Sequence, residues 1–152
     1  MINPRGLRSY VRNDTFFAAI PLVLEQNPSV RFICPVMQGE SQPENWVRQY
    51  GIEVNVELLP RQTPQQMADL YRSALICVSP SEHDGTPNTL LEAMACGCFP
   101  VAGNIESVRE WITDNENGLL VDPADPKALA SAILEGIDNQ NLRKNAGKIN
   151  HE

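Results

Sequence analysis

The chain has 152 residues, of which 42% are hydrophobic and 20% charged, and its formal net charge is −7 at pH 7. This length suits one compact domain with a real core, and the composition excludes a disordered or fibrous protein. The acidic balance and the lack of a basic run argue against nucleic acid or an acidic membrane surface as the main partner. No apolar segment approaches the roughly 20 residues of a membrane span and no signal peptide opens the chain, which predicts a cytoplasmic protein without a transmembrane segment.

Apolar spacing predicts helices that alternate with strands. The helices are expected at 14–26, 43–50, 64–73, 87–96, 107–113, 126–137 and 141–148. The strands are expected at 30–36, 53–59, 75–78, 99–102 and 119–121, after the stub of a first strand at residues 1–4. Such alternation is typical of an α/β domain whose parallel sheet is covered on both faces, and ligands of these sheets bind at the carboxyl ends of the strands.

The four cysteines are predicted to be buried thiols and not metal ligands. Cys34 and Cys77 fall inside apolar strands, where cysteine behaves as a small hydrophobic residue. Cys96 and Cys98 are separated by one residue and lack the two-residue spacer and the second ligand pair of a zinc site.

The most informative stretch joins the predicted strand 75–78 to the predicted helix 87–96 through a polar turn that contains glycine. Asp84 lies in this turn and Glu92 lies on the helix. Unpaired backbone N–H groups and the positive end of the helix dipole favour an anion at such a junction. Two carboxylates beside it would suit the hydroxyls of a sugar. A phosphate site flanked by hydroxyl acceptors suggests a nucleotide-sugar.

From Ser79 onward the chain resembles the donor-binding half of retaining glycosyltransferases of the group 1 type (family 4), which have the two-domain GT-B fold. The matching pieces are Ser79-Pro-Ser81, Asp84-Gly85, Leu91-Glu-Ala-Met-Ala-Cys-Gly97, Pro100-Val-Ala102, Glu110, Asn117-Gly-Leu-Leu-Val121 and Asp125-Pro126. A weaker similarity continues upstream through 56–74, so that most of the chain is covered. The resemblance implies a Rossmann-like three-layer α/β/α domain with a parallel sheet, the C-terminal half of a GT-B fold.

The signature of this family is a pair of acidic residues with seven residues between them. Asp84 and Glu92 have that spacing, with Asp84 where the family usually has glutamate; Glu82 is the alternative first member, but it lies ten positions before Glu92. The resemblance implies that these two are the catalytic pair: Asp84 would accept from a hydroxyl of the transferred sugar and Glu92 from the ribose hydroxyls. Removing Asp84 is therefore expected to reduce transfer and to leave the affinity for free nucleotide nearly unchanged.

The resemblance also implies how the diphosphate of the donor is held. The backbone of the turn would bind it, at Gly85, Thr86, Pro87, Asn88 and Thr89. The family adds an arginine and a lysine from the segment before the first helix. Arg5 best fits the arginine, and Arg12, with Arg8 as the alternative, would replace the lysine. These groups would stabilise the charge on the leaving diphosphate, without an obligatory metal or other cofactor.

The resemblance implies that residues 1–152 are a nucleotide-sugar (donor) binding domain and a fragment without the N-terminal acceptor-binding domain. The complete enzyme would transfer a hexose to an acceptor hydroxyl with retention of configuration, and the isolated chain would bind donor weakly and transfer nothing. Two alternatives stay open: a nucleotide-sugar epimerase or phosphorylase of the same fold, and a degenerate, non-catalytic nucleotide- or sugar-binding domain that serves assembly. Asp84, and Glu106-Ser107 where the family usually has two glycines, favour the second alternative.

Overall fold

A computed structural model describes residues 1–151, and within them seven helices alternate with five strands. The helices are α1 (Asn13–Gln26), α2 (Ser41–Tyr50), α3 (Pro64–Ser73), α4 (Asn88–Ala95), α5 (Glu106–Arg109), α6 (Pro126–Asp138) and α7 (Gln140–Asn150). The strands are β1 (Phe32–Pro35), β2 (Val56–Leu59), β3 (Ile76–Ser79), β4 (Phe99–Gly103) and β5 (Leu119–Val121). In the described part of the chain, no helix has both the length and the hydropathy required to cross a membrane.

The strands form one parallel sheet whose centre is completed by the amino terminus. β1 pairs with β2, β3 with β4 and β4 with β5, each in parallel. Ile2 bridges β1 and β3, also in parallel: its N–H donates to the carbonyl of Ile76 at 2.9 Å and its carbonyl accepts from the N–H of Val78 at 2.9 Å. The order across the sheet is therefore β2, β1, residues 1–3, β3, β4, β5. This confirms the predicted parallel sheet.

Two hydrophobic clusters lie on opposite faces of the sheet. Because side chains alternate along a strand, Ile76 and Val78 of β3 pack into one cluster and Cys77 packs into the other. The first cluster is covered by α1 and α6, which also pack against each other. The second is covered by α4 together with α3. The predicted three-layer α/β/α architecture is confirmed.

Several predicted elements are shorter than the sequence pattern indicated, and hydrogen bonds give the reason for two of them. The predicted helix 107–113 ends at Arg109. The N–H of Thr113, four residues further on, donates at 2.7 Å to the side chain of Asn117 and not to a helical carbonyl. The predicted strand 53–59 begins only at Val56, because the preceding residues form a turn in which the carbonyl of Ile52 accepts from the N–H of Val56.

Gly103, the last residue of β4, allows the chain that follows β3 to pass close to the sheet. A Cβ atom at this position would overlap the carbonyl oxygen of Ser81. We expect Gly103→Ala to lower the free energy of unfolding by about 1–3 kcal/mol, because the backbone of Ser81 must move. Urea denaturation measures the effect.

A matched control for this substitution is Gly147→Ala on α7. A Cβ atom at Gly147 would meet no atom within 4 Å. Since alanine favours the helix over glycine, this variant should be as stable as the parent or more stable by about 0.5–1 kcal/mol. Equal stability of the two variants would show that the close approach at Gly103 imposes no constraint in solution.

Candidate functional site

The turn that follows β3 leads into the N-terminus of α4 at the carboxyl edge of the sheet. Among residues 1–151, the backbone N–H groups of Gly85, Thr86 and Thr89 have no hydrogen-bond acceptor. The N–H of Asn88 donates to the carbonyl of Thr86 at 2.9 Å, and Pro87 has no N–H. All five residues from Gly85 to Thr89 are predicted from the sequence to contact the diphosphate. The structure leaves three of them with a free backbone donor for an anion.

Arg5, which lies near the amino terminus of the chain, contacts this turn. Its Nη2 donates to Oδ2 of Asp84 at 2.6 Å and its Nη1 donates to Oγ1 of Thr89 at 2.7 Å. The side chains of Arg5 and Asp84 are only 7% and 10% exposed. The Nε of Arg5 is buried and has no hydrogen-bond partner within the described residues. The predicted proximity of Arg5 to the acidic turn is thus seen as a direct ion pair.

A pair of buried asparagines holds the segment that carries Arg5. The Asn3 side chain donates to Oδ1 of Asn13 at 3.0 Å, and the Asn13 side chain donates to the carbonyl of Gly6 at 2.8 Å. The Asn3 side chain also accepts from the backbone N–H of Arg5 at 3.2 Å. Gly6 has a φ of +62°, which favours glycine at this bend. These bonds fix the backbone on both sides of the arginine.

Two cavities meet at Asp84. One, of about 580 Å³, contains three arginines (Arg5, Arg8 and Arg61) together with Thr86, Asn88 and Thr89 among its lining residues. The other, of about 470 Å³, is mainly acidic: Glu82, Glu106 and Glu110 line it together with His83 and one arginine, Arg109. Asp84 lines both. The cationic cavity suits a phosphate group, and the carboxylates of the neighbouring acidic cavity can accept hydrogen bonds from sugar hydroxyls.

Arg12 lies apart from the cationic cavity, in contrast to the expectation that it joins Arg5. Its guanidinium donates to Asp14 at 2.8 Å and to Glu82 at 3.4 Å, and it lines an adjacent depression that shares Arg8 with the cationic cavity. The hydrogen bond from Arg12 holds the pKa of Asp14 below its usual value. Arg8, the alternative in the sequence analysis, is the residue that lines the cavity with Arg5. The two nearby carboxylates explain why Arg12 turns away.

Glu92 is solvent-exposed, and its side chain has no hydrogen-bond partner among the described residues. It lies on α4 four residues after Asn88 and three after Thr89. Residues at these spacings share a helix face. Glu92 therefore follows the two cavity-lining residues at a distance of about 6 Å along the helix axis from Asn88. The carboxylate is free to accept hydrogen bonds from a ligand that extends beyond the cavity.

The cysteines take no part in this site. Cys34, Cys77 and Cys98 are buried and Cys96 is partly exposed. Burial raises the pKa of Cys34 and of Cys98 to about 12, so that these thiols stay protonated near neutral pH. Among the residues described, no three His, Cys, Asp or Glu side chains lie together as metal ligands would. The expected reaction without an obligatory metal or other cofactor stays a prediction.

Three residues at the site, Arg61, Asn3 and Asn13, were not predicted from the sequence. Arg61 comes two residues after the end of β2, and a charged residue just beyond the carboxyl end of a parallel strand is a signal that could have found it. Asn3 likewise follows Ile2, the residue that sits in the sheet. Asn13 carries no such signal, because its role depends on a hydrogen bond to a residue ten positions away.

Comparison with known proteins agrees with this arrangement. Residues 5–152 match the model of the family described as glycosyl transferases group 1. An uncharacterised glycosyltransferase of Methanocaldococcus jannaschii is 33% identical over 109 residues, which is 72% of this chain and 31% of that protein. The structure of HepE from Anabaena, in complex with UDP and glucose, superimposes with a TM-score of 0.87 at 17% identity, over 99% of this chain and 41% of the other.

A further similarity is to a C-terminal domain. The crystal structure of the C-terminal domain of LpcC, a glycosyl transferase group 1 family protein from Francisella tularensis, gives a TM-score of 0.85 at 23% identity, over 99% of this chain and 81% of the other. The fold is therefore that of the C-terminal half of GT-B glycosyltransferases. The chain spans about a third of the length of the curated relatives it matches. With a family model that covers nearly all of its residues, this chain belongs to the glycosyl transferases of group 1.

Proposed function

We propose that this chain is the donor-binding domain of a retaining glycosyltransferase that uses a nucleotide-sugar. The observation that carries the proposal is the convergence of Arg5, Asp84 and three free backbone N–H groups at the N-terminus of α4. Residues 1–152 would form the donor domain, and an N-terminal domain of the same protein would hold the acceptor. The cytoplasmic location inferred from the sequence stays a prediction.

The chemistry of the site favours a sugar diphosphate. The N–H groups of Gly85, Thr86 and Thr89 and the positive end of the α4 dipole attract a phosphate, and Arg5 adds a fork of donors that matches phosphate oxygens. Interactions that strengthen as charge develops on the leaving diphosphate lower the barrier to transfer. The related HepE structure contains UDP and glucose, which makes a uridine donor the first candidate.

The two carboxylates have separate roles in this proposal. Asp84 lines the acidic cavity beside the phosphate site and would accept from a hydroxyl of the sugar. Glu92 lies on the same helix face as Thr89 and would accept from the ribose. An acceptor hydroxyl presented by the N-terminal domain would then attack the sugar with retention of configuration.

The proposal predicts saturable binding of a nucleoside diphosphate to the 152-residue chain. UDP, GDP and ADP are titrated by calorimetry, and the affinity should fall as salt is raised, since the attraction is largely ionic. Arg8→Met should weaken binding by roughly 3–10-fold, because Arg8 lines the cavity and an exposed ion contact is worth about 1 kcal/mol.

Arg12→Met is the matched control for this titration, since it removes the same charge from a residue that lies outside the cavity. Its affinity should equal that of the parent. If Arg12→Met loses affinity for nucleotide and Arg8→Met does not, then Arg12 and not Arg8 is the second arginine that binds phosphate. Absence of saturable binding by all three nucleotides would contradict the proposed function.

A further inference from the structure

The ion pair between Arg5 and Asp84 lies at the boundary between the cationic cavity and the acidic cavity, because Asp84 lines both. We propose that Arg5 exchanges partners when donor binds: it holds Asp84 in the donor-free protein, then turns to the diphosphate and frees the Asp84 carboxylate for the sugar. This inference rests on the proposed function. It makes recognition of the sugar dependent on a diphosphate already bound beside it.

The positions of the groups support the exchange. Arg5 contacts the hydroxyl of Thr89 at 2.7 Å, and the backbone N–H of the same Thr89 has no partner among residues 1–151. An anion held by that N–H would therefore lie beside the guanidinium. Arg5, Asp84 and Thr89 all line the cationic cavity, so no change in the fold is needed to bring a diphosphate to the pair.

The hydrogen bonding of the Arg5 guanidinium is also incomplete. Arg5 uses Nη1 and Nη2, while its Nε is buried without a hydrogen-bond partner in the described structure. A buried donor without an acceptor is costly, and a phosphate oxygen would satisfy it. Because the side chain is only 7% exposed, water can replace that acceptor only to a small extent. This observation indicates a ligand independently of the helix N-terminus.

Electrostatics decides which anion Arg5 prefers. Asp84 carries one negative charge and a diphosphate carries more, and the two repel each other when they share one cation. Arg8 and Arg61 also line the cavity and add to the attraction for phosphate on that side. On the other side, the acidic cavity contains one arginine, Arg109, whose guanidinium donates to the Asn104 side chain at 2.9 Å and not to Asp84. The released carboxylate must therefore find hydroxyl donors, which a sugar supplies.

The exchange reverses one expectation from the sequence, that loss of Asp84 leaves free-nucleotide affinity nearly unchanged. If the diphosphate competes with Asp84 for Arg5, removing that charge should tighten the binding of free nucleotide. Asp84→Asn should raise the affinity for the tightest of UDP, GDP and ADP by about tenfold, since one charge-assisted hydrogen bond no longer has to be broken.

Two matched variants separate the exchange from a general change in charge. Asp84→Glu keeps the carboxylate and should bind nucleotide about as the parent does. Glu82→Gln removes a neighbouring negative charge that pairs with Arg12 and not with Arg5, so it should tighten binding far less than Asp84→Asn. Thermal melting of each variant, with and without nucleotide, reports whether the fold is kept.

The outcomes distinguish the inference from the function on which it rests. Tighter binding by Asp84→Asn alone supports the exchange. Parent-like or weaker binding by Asp84→Asn, with binding by the parent intact, overturns the exchange and leaves the proposed function standing. Equal tightening by Glu82→Gln also overturns it, because the effect is then one of overall charge. Absence of binding by the parent to all three nucleotides overturns both.

Discussion

Replacing Arg5 with methionine should lower the free energy of unfolding by about 3–5 kcal/mol, because it leaves the buried Asp84 carboxylate without its cation. Both side chains are about nine-tenths buried, at 7% and 10% exposure, and their atoms approach to 2.6 Å. Methionine keeps most of the length of the apolar stem, so the loss reports on the charge. Urea denaturation of the 152-residue chain measures it.

The second partner provides the internal test of this prediction. In Arg5→Met/Asp84→Asn both charges are absent, and most of the lost stability should return, since a buried pair replaced as a whole costs little. Nucleotide binding should not return with it, because Arg5 is needed for the phosphate. The exposed pair of Arg72 and Asp69, 60% and 63% exposed at 2.9 Å, is the control: Arg72→Met should cost less than about 1 kcal/mol. Equal losses for Arg5→Met and Arg72→Met would contradict a buried pair.

Elements whose signals are local were predicted well from the sequence. The helix expected at 64–73 begins at Pro64, as predicted, and the structure shows Thr63 as its N-cap, with a capping box to Gln66. Asp125 and Pro126 similarly begin α6. Each of these starts depends on residues within one helical turn, so spacing alone was informative. The helix expected at 107–113 was overestimated because a side chain beyond its end, Asn117, competes for a backbone N–H.

The turn that forms the site could be located from the sequence, whereas the arginines around it were harder to assign. Asp84, Glu92 and the glycine-bearing turn are close together in sequence, so their pattern is visible there, and their roles stay predictions. Arg5 lies 79 positions from Asp84, and only the resemblance to a family brought it to the site. The choice of Arg12 over Arg8 for the second phosphate contact stays a prediction, although Arg8 and not Arg12 lines the cavity that contains Arg5.

Glu92, the acidic residue on α4, should contribute to the binding of the nucleotide and not to the binding of the sugar. In the complete protein, Glu92→Ala should weaken nucleotide-sugar binding by about 1.5–3 kcal/mol, the range for a hydrogen bond to a charged group, or roughly 10–150-fold in affinity. The side chain is exposed and has no partner in residues 1–151, so stability should change little. The loss should be equal for UDP and for UDP-glucose, because both contain the ribose.

Calorimetry with both ligands, together with donor turnover, tests this role. Glu25→Ala, an exposed glutamate in the last turn of α1 outside the cavities described above, is the matched control and should change neither affinity. Asp84→Ala should instead reduce turnover and remove the advantage of UDP-glucose over UDP, since its partner is on the sugar. A loss confined to UDP-glucose in Glu92→Ala would place Glu92 on the sugar and contradict the division proposed here. Unchanged affinity and turnover in both variants would contradict the roles proposed for the two carboxylates, whereas absence of donor turnover in the parent would favour a degenerate, non-catalytic binding domain.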